Sequence, residues 1–300
     1  MILSRVLSGI LADMATSQIE CIAHAKINMS LSVGIKQSNG LHEIASRMVP
    51  VSLHDTLTLT ALDAHALSRY AILWEEDAPK QTEIDWPIRS DLAVKAHVLV
   101  QNQVGMTLPV QLKLQKRIPV GGGLGGGSAD AAAMLIGLKQ LFHLDVDLQP
   151  LACELGSDVP FHLAGHAAIV GGTGESITET PVEHKTILLC IPPYGCNTGA
   201  VYQAFERQGP QQLEVHRVES GELFNALTNA ACEVTPQLKN DLEELANICE
   251  CEVHLSGSGS TMFAICDNDS HAQSLAEAIQ SSTNCFTVVT ETCLPENLEK

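Results

Sequence analysis

The chain has 300 residues, 45% hydrophobic, 17% charged and only 4% aromatic, with a formal net charge of −18. This composition suits one large domain or two ordinary ones around an aliphatic core, and excludes global disorder. The acidic balance argues against nucleic-acid or anionic-membrane partners, which need a basic face, so an anionic ligand would need a local positive site. The ten cysteines form no Cys-x-x-Cys pair and no Cys/His spacing that reads as zinc, so they are read as reduced cytosolic thiols filling a core. No apolar run approaches the roughly 18 residues needed to cross a bilayer; the expected location is cytoplasmic.

Residues 1–19 are read as an N-terminal extension. Arg5 and Asp13 break its apolar stretch, which does not suit a signal peptide, and Met14 is a second candidate start. Glu20 to Val33 reads as strand towards its end, Lys36 to Gly40 as a turn around Asn-Gly, and Val49 to Thr60 as an alternating strand. A strand and loops are expected over 61–90, then a helix over 91–104 and a strand over 110–114. After the glycine run come a helix over 129–142, a short helix over 148–155 ended by Gly156, and strands over 167–170 and 185–191. A domain boundary is placed near residue 180, giving domains 20–180 and 181–300. In the second, helices are expected at 199–208, 219–231, 235–249 and 271–281, and strands at 252–256, 261–266 and 285–290.

The stretch IPVGGGLGGGSADAAAMLIGL (118–138) carries the strongest chemical signal. Consecutive glycines that open a helix expose backbone N–H groups at its positive end, which makes a phosphate cradle. Its candidate residues are Pro119, Gly121, Gly122, Gly123, Leu124, Gly125, Gly126, Gly127 and Ser128, the last placed to cap the helix or touch a phosphate or metal. No Gly-Lys-Ser/Thr follows, so it is not a Walker A loop, and no acidic residue sits where a dinucleotide fingerprint needs one. The plainer alternative is a flexible glycine linker. Asp130 reads as a first-turn carboxylate favoured by the helix dipole. Asp158, in GSDVP after a helix end, suits a general base projecting into a cleft, or simply a turn residue. Lys26 suits an electrostatic partner of that base, or a snorkelling surface lysine.

The pattern P-x-G-G-G-L-G-G-G-S-A-D-A-A (119–132) resembles the phosphate loop of the GHMP kinases. AKINMSLSV (25–33), NGLHEIASRMVPVSLHDTLTL (39–59), ELGSDVPFHLAGHAAIVGGTGE (154–175) and LSGSGSTMFAIC (255–266) are similar to further family segments in the same order. The triple glycine before Ser128 points, within that superfamily, to the kinases of the non-mevalonate isoprenoid pathway that phosphorylate the 2-hydroxyl of 4-diphosphocytidyl-2-C-methyl-D-erythritol. The resemblance implies an α+β, two-domain GHMP kinase fold. Its N-terminal domain would be like domain 2 of ribosomal protein S5, with a left-handed βαβ crossover, its C-terminal domain ferredoxin-like, and its site in the cleft between them. It implies ATP and Mg2+, a small-molecule cytidine diphospho-sugar alcohol as acceptor, and a monomer or weak homodimer. It assigns catalysis to Lys26 and Asp158, and substrate contacts to Asn28, Leu41, His42, Tyr202, Ser258 and Gly259. In the family, the residue matching His42 hydrogen-bonds the cytosine, and aromatic rings matching positions 41 and 202 flank it. The sequence departs from the pattern at Leu41 (tyrosine in the family), Ser157 (alanine) and His162 (phenylalanine). Two alternatives stand beside this reading: a GHMP-type kinase for another small alcohol, and a non-catalytic nucleotide-binding paralogue.

Overall fold

A computed structural model describes residues 17–209 and 212–293. Most of the segment read as an extension, with Met14, lies outside the described residues.

Two sheets organise the chain. The first is built on a long antiparallel pair, β1 (Gln18–Lys36) and β2 (His42–Ala61), joined by the turn at 37–41, where Gly40 has φ +85°. β3 (Arg69–Trp74) and β4 (Val110–Lys116) run parallel to each other and extend the sheet beyond β2. Between them the chain forms helix α1 (Leu92–Val104), which starts where the Asp91 carboxylate accepts from the N–H groups of Ala93 and Val94. It stops at Gly105, held at φ +67°. Along β4 the apolar residues Val110, Leu112 and Leu114 are buried and alternate with polar neighbours, as a strand with one face on the core requires.

Helix α2 (Gly126–Leu141) packs on this sheet and buries most of its length, Ala129 to Leu135 inclusive. Small side chains permit the close seat. At Gly137 an added Cβ would lie 2.5 Å from Leu59 Cδ1 and 3.0 Å from Cys21 Sγ, so any larger residue would have to push both side chains aside. Asp130 points inward rather than towards the helix dipole. It and the fully buried Asp55 both accept from Lys116 Nζ, and Asp55 also caps the N–H groups of Arg117 and Ile118. The triad therefore fixes the approach to the glycine run. Burial raises the Asp130 carboxyl well above its ordinary range, while the two carboxylates outweigh burial and hold Lys116 charged. Helices α3 (Gln149–Leu155) and α4 (Val159–Ala164) follow, then the hairpin β5 (Ala168–Gly171) and β6 (Ser176–Glu179), of which β5 pairs with β2. The short α4 and β6 were not expected from the sequence.

The second sheet begins with β7 (Thr186–Ile191), buried throughout. After it come α5 (Thr198–Arg207), α6 (Val215–Glu219), β8 (Phe224–Asn225), α7 (Thr228–Val234) and α8 (Pro236–Cys249). The chain ends in β9 (His254–Leu255), β10 (Met262–Cys266), α9 (Asp269–Ser282) and β11 (Phe286–Glu291). The strand order β11-β7-β10-β9, antiparallel throughout, is the ferredoxin-like 4-1-3-2 arrangement. The single helix expected over 219–231 is two short helices around a strand. Gly221 at φ +80° ends the first, and Phe224–Asn225 pair in parallel with Ser30–Leu31 of β1, so a tertiary partner overrides the local pattern. Among the described residues no helix is long and apolar enough to cross a membrane.

Candidate active site

β1, the glycine run, the start of α4 and the loop before β10 converge on one spot. The Lys26 N–H donates to Leu124 O at 2.9 Å, which docks the glycine run on β1. Two residues along the same strand face, Asn28 accepts from Lys26 Nζ through Oδ1 at 2.6 Å and donates through Nδ2 to Ser46 Oγ at 2.8 Å. Lys26 is 3% exposed, so it is not a snorkelling lysine. Its Nζ lies 3.7 Å from Asp158 Oδ2, and that carboxylate is part-open to the cavity. Ser256 Oγ accepts from the Asn28 N–H at 3.3 Å and donates to Gly123 O at 3.1 Å, tying the third motif to both strand and loop.

The glycines divide the work. Gly121, Gly123 and Gly125 hold φ of +75°, +78° and +71°, which makes the run a tight turn rather than a linker. A Cβ on Gly122 would meet Thr261 Oγ1 at 2.7 Å, one on Gly123 would meet Ser256 O at 2.4 Å, and one on Gly126 would meet Ile118 Cγ2 at 2.8 Å. At Gly123 the obstacle is backbone, which cannot move aside; at Gly122 and Gly126 it is a side chain that a Cβ would have to displace. At Gly121, by contrast, an added Cβ meets nothing within 4 Å, so that stretch of backbone borders open space. Behind it Gly125 caps α2 with no side chain, and the N–H groups of residues 126–128 have no carbonyl within the helix to bond. They present partial positive charge in a strongly acidic molecule.

A cavity of about 550 Å³ opens here. Among the residues marked from sequence, it is lined by Lys26, Asn28, Leu41, His42, Gly123, Gly125, Ser128, Asp158, Tyr202 and Ser258. Pro119, Gly121, Gly122, Leu124, Gly126, Gly127 and Gly259 do not line it. Leu124, 1% exposed, belongs to the core, and Gly259 packs under Leu255 and Cys196. At the far end the His42 and Tyr202 rings lie 5.3 Å apart, tilted by 37°, and Leu41 stands 47% exposed on the turn between β1 and β2. Burial, then the Asp158 charge, pushes the Tyr202 phenol up to about 12. Ser258 Oγ is 2.8 Å from Thr198 Oγ1 at the start of α5.

His162, the departure in VPFHL, lies against this centre from behind. Its Nε2 is buried without a hydrogen-bond partner and sits 2.6 Å from where a Cβ of Gly125 would be. Burial, with Lys26 and His24 adding to it against Asp158, holds its pKa down to about 4. Sequence reasoning missed Lys36 and Glu206, which also line the cavity. The spacing of Tyr202 and Glu206, four apart on a helix, was the available signal.

Family comparisons agree with this layout. The GHMP kinases N terminal domain matches residues 91–172, and the GHMP kinases C terminal domain matches residues 204–284. A 4-diphosphocytidyl-2-C-methyl-D-erythritol kinase of Thermus thermophilus is 32% identical over 272 residues, 87% of this chain and 93% of that protein. The chain belongs to the GHMP kinase family. A protein of the same name from Acetivibrio thermocellus is 33% identical over 287 residues, 90% of this chain and 97% of its own length. A crystal structure of 4-(cytidine 5'-diphospho)-2C-methyl-D-erythritol kinase superposes with a TM-score of 0.74 at 30% identity, covering 92% of this chain and all of that one. Homoserine kinase from Cytophaga hutchinsonii, at 16% identity and a TM-score of 0.63 over 92% of this chain and 95% of its own, shares the fold alone. This GHMP kinase thus has the two-domain α+β fold expected of it.

Proposed function

We propose that this GHMP kinase transfers the γ-phosphoryl group of ATP to the 2-hydroxyl of 4-diphosphocytidyl-2-C-methyl-D-erythritol. The observation that carries the reading is a single cavity with a Lys26–Asp158 pair in its floor, the amino end of α2 on one side and the His42–Tyr202 pair on the other. Phosphoryl transfer needs a held triphosphate, neutralised charge, and a hydroxyl brought in line and deprotonated. Gly123, Gly125 and Ser128, the part of the glycine turn and of the amino end of α2 that lines the cavity, would hold the phosphates. Asp158 accepts the hydroxyl proton; Lys26, fixed by Asn28, keeps that carboxylate ionised and offsets charge on the transferred group. The Ser128 hydroxyl, bonded by no described residue, is the side chain that would meet a phosphate-bound magnesium ion. Magnesium supplies charge neutralisation across the phosphates. Among the described residues there is no group of three or more His, Cys, Asp or Glu that could hold a metal. The domain division near residue 180 is supported by the gap between β6 and β7, where one sheet ends and the other begins.

Leu41 favours one second reading, a kinase for another alcohol, because leucine has no π face to offer a base. Product formation from ATP and the cytidine substrate decides between them. Asp158→Asn and Lys26→Met are each expected to cut turnover at least about a hundredfold with folding retained. Near-normal turnover by Asp158→Asn refutes the base assignment, and no turnover by the natural chain refutes the substrate.

A further inference from the structure

The cavity end that holds His42 and Tyr202 also holds a pinned carboxylate. Glu206 follows Tyr202 by one turn of α5, and both side chains line the cavity. Its Oε1 accepts from Lys36 Nζ at 2.9 Å and faces His42 Nε2 at 3.1 Å. Lys36 and His42 are themselves cross-strand partners where β1 and β2 meet their turn. His42 Nδ1 donates to Gly34 O at 2.9 Å, which sets the ring so that its Nε2 edge looks towards Glu206. Oε2 of Glu206 has no hydrogen-bond partner among the described residues. Hydrogen bonds from Lys36 and then His42 hold the carboxyl below its ordinary range, so it stays ionised.

We propose that Glu206 is a specificity-determining residue that selects cytosine over uracil, its unpaired carboxylate oxygen accepting from the exocyclic amine of the base. The inference rests on the cytidine substrate proposed above. Cytosine presents an amine donor where uracil presents a carbonyl acceptor. An ionised carboxylate accepts only, so it pairs with the first and repels the second. Because Lys36 and His42 already fix the side chain, little rotamer freedom is lost on binding. The chain's net charge is −18, and a carboxylate beside a diphosphate site opposes substrate binding unless it makes a bond that offsets the repulsion.

The alternative role for Glu206 is to anchor His42 and Lys36 without touching substrate. Initial rates with the cytidine substrate and its uridine counterpart separate the two, measured on the natural chain and on Glu206→Gln. Glutamine keeps the shape and can accept from Lys36, but its amide also donates, so uracil is no longer repelled. The cytidine-to-uridine ratio of kcat/KM is expected to fall by about tenfold or more, the scale of a hydrogen bond to a charged group, with the uridine rate rising. If both rates fall by the same factor and the ratio holds, Glu206 only anchors and the inference is overturned while the substrate reading stands. If the natural chain turns over neither compound, the substrate reading fails first and takes the inference with it.

Discussion

Single side chains decide what this site tolerates, and His162 shows how. A histidine whose nitrogen is buried without a partner costs stability once it is charged. In the unfolded chain it takes a proton near its ordinary pKa of 6.5; in the folded protein it resists until about pH 4. The unfolded state therefore binds more protons across that window, and stability falls as pH drops from 6.5 to 4. His162→Phe should flatten this loss, and at pH 7 it should leave stability unchanged or raise it. Urea midpoints at pH 7 and pH 5 test this; equal drops in both proteins would mean His162 does not carry the effect. The slope will not vanish, because burial also lowers the pKa of His24, His97 and His254. Leu41 argues from the opposite side. Stacking is worth about 1–3 kcal/mol per base in nucleic-acid complexes, and in the substrate reading proposed above leucine would forfeit it on one face of the base. Leu41→Tyr should lower KM for the cytidine substrate about threefold to thirtyfold with kcat little changed, since the gain lies far from the transferred group. An unchanged KM would show that residue 41 does not border the base. Both residues were visible in the sequence as departures from the family pattern. What His162 touches was not visible, because Gly125 and Lys26 reach it only through the fold.

At the scale of elements, the glycine run was legible because six glycines before an alanine-rich segment have few other uses. Its division of labour was not legible. Which glycine packs and which leaves space depends on Ile118, Ser256 and Thr261, two of them more than a hundred residues away. The contrast between neighbours makes a prediction. Gly125→Ala forces a Cβ onto a residue at φ +71°, 3.0 Å from Lys26 Cγ and 3.2 Å from Lys26 Cε. It should displace Lys26 and, on the role proposed for that lysine, cut kcat by about tenfold or more, as a small misplacement near the chemistry does. Gly126→Ala has no such dihedral penalty and presses only on Ile118, a core side chain. It should lower the melting temperature, at a cost of about 1–3 kcal/mol for overpacking, with a smaller effect on kcat. Steady-state kinetics beside thermal melts distinguish them, and the reverse pattern would contradict these contacts. The same reasoning explains the misread segment at 219–231. Its composition is helical, yet β8 exists because β1 offers an edge to Phe224 and Asn225, and no local pattern announces a partner nearly two hundred residues away.

For the whole molecule, the question is whether two sheets mean two independent units. The contacts say otherwise. One core cluster joins Leu31, Val33, Ile44 and Met48 of the first sheet to Leu188, Cys190, Met262 and Ala264 of the second. Another joins Ala25, Ile27 and Val51 to Ile187, Leu189 and Phe263. Asn225 clamps the seam: its strand pairs with β1, while its Nδ2 donates to Leu255 O at 2.8 Å and to Gly257 O at 2.7 Å in the loop that touches the cavity. Separating the sheets would expose both clusters and leave these carbonyls without a donor; the first half would keep only the cluster that α1 and α2 bury against Leu57, Leu59 and Leu112. The natural chain should therefore unfold in one cooperative transition despite its length. Its two tryptophans, Trp74 and Trp86, both lie in the first half, so their fluorescence follows that half while far-ultraviolet circular dichroism follows every helix and strand. Coincident urea curves from the two probes are the expected result. Asn225→Ala removes the clamp but neither cluster, so it should shift both curves to lower urea together. A fluorescence transition that parts from the dichroism in the natural chain would show that the shared clusters do not couple the sheets, and that the cavity between them can open without unfolding either.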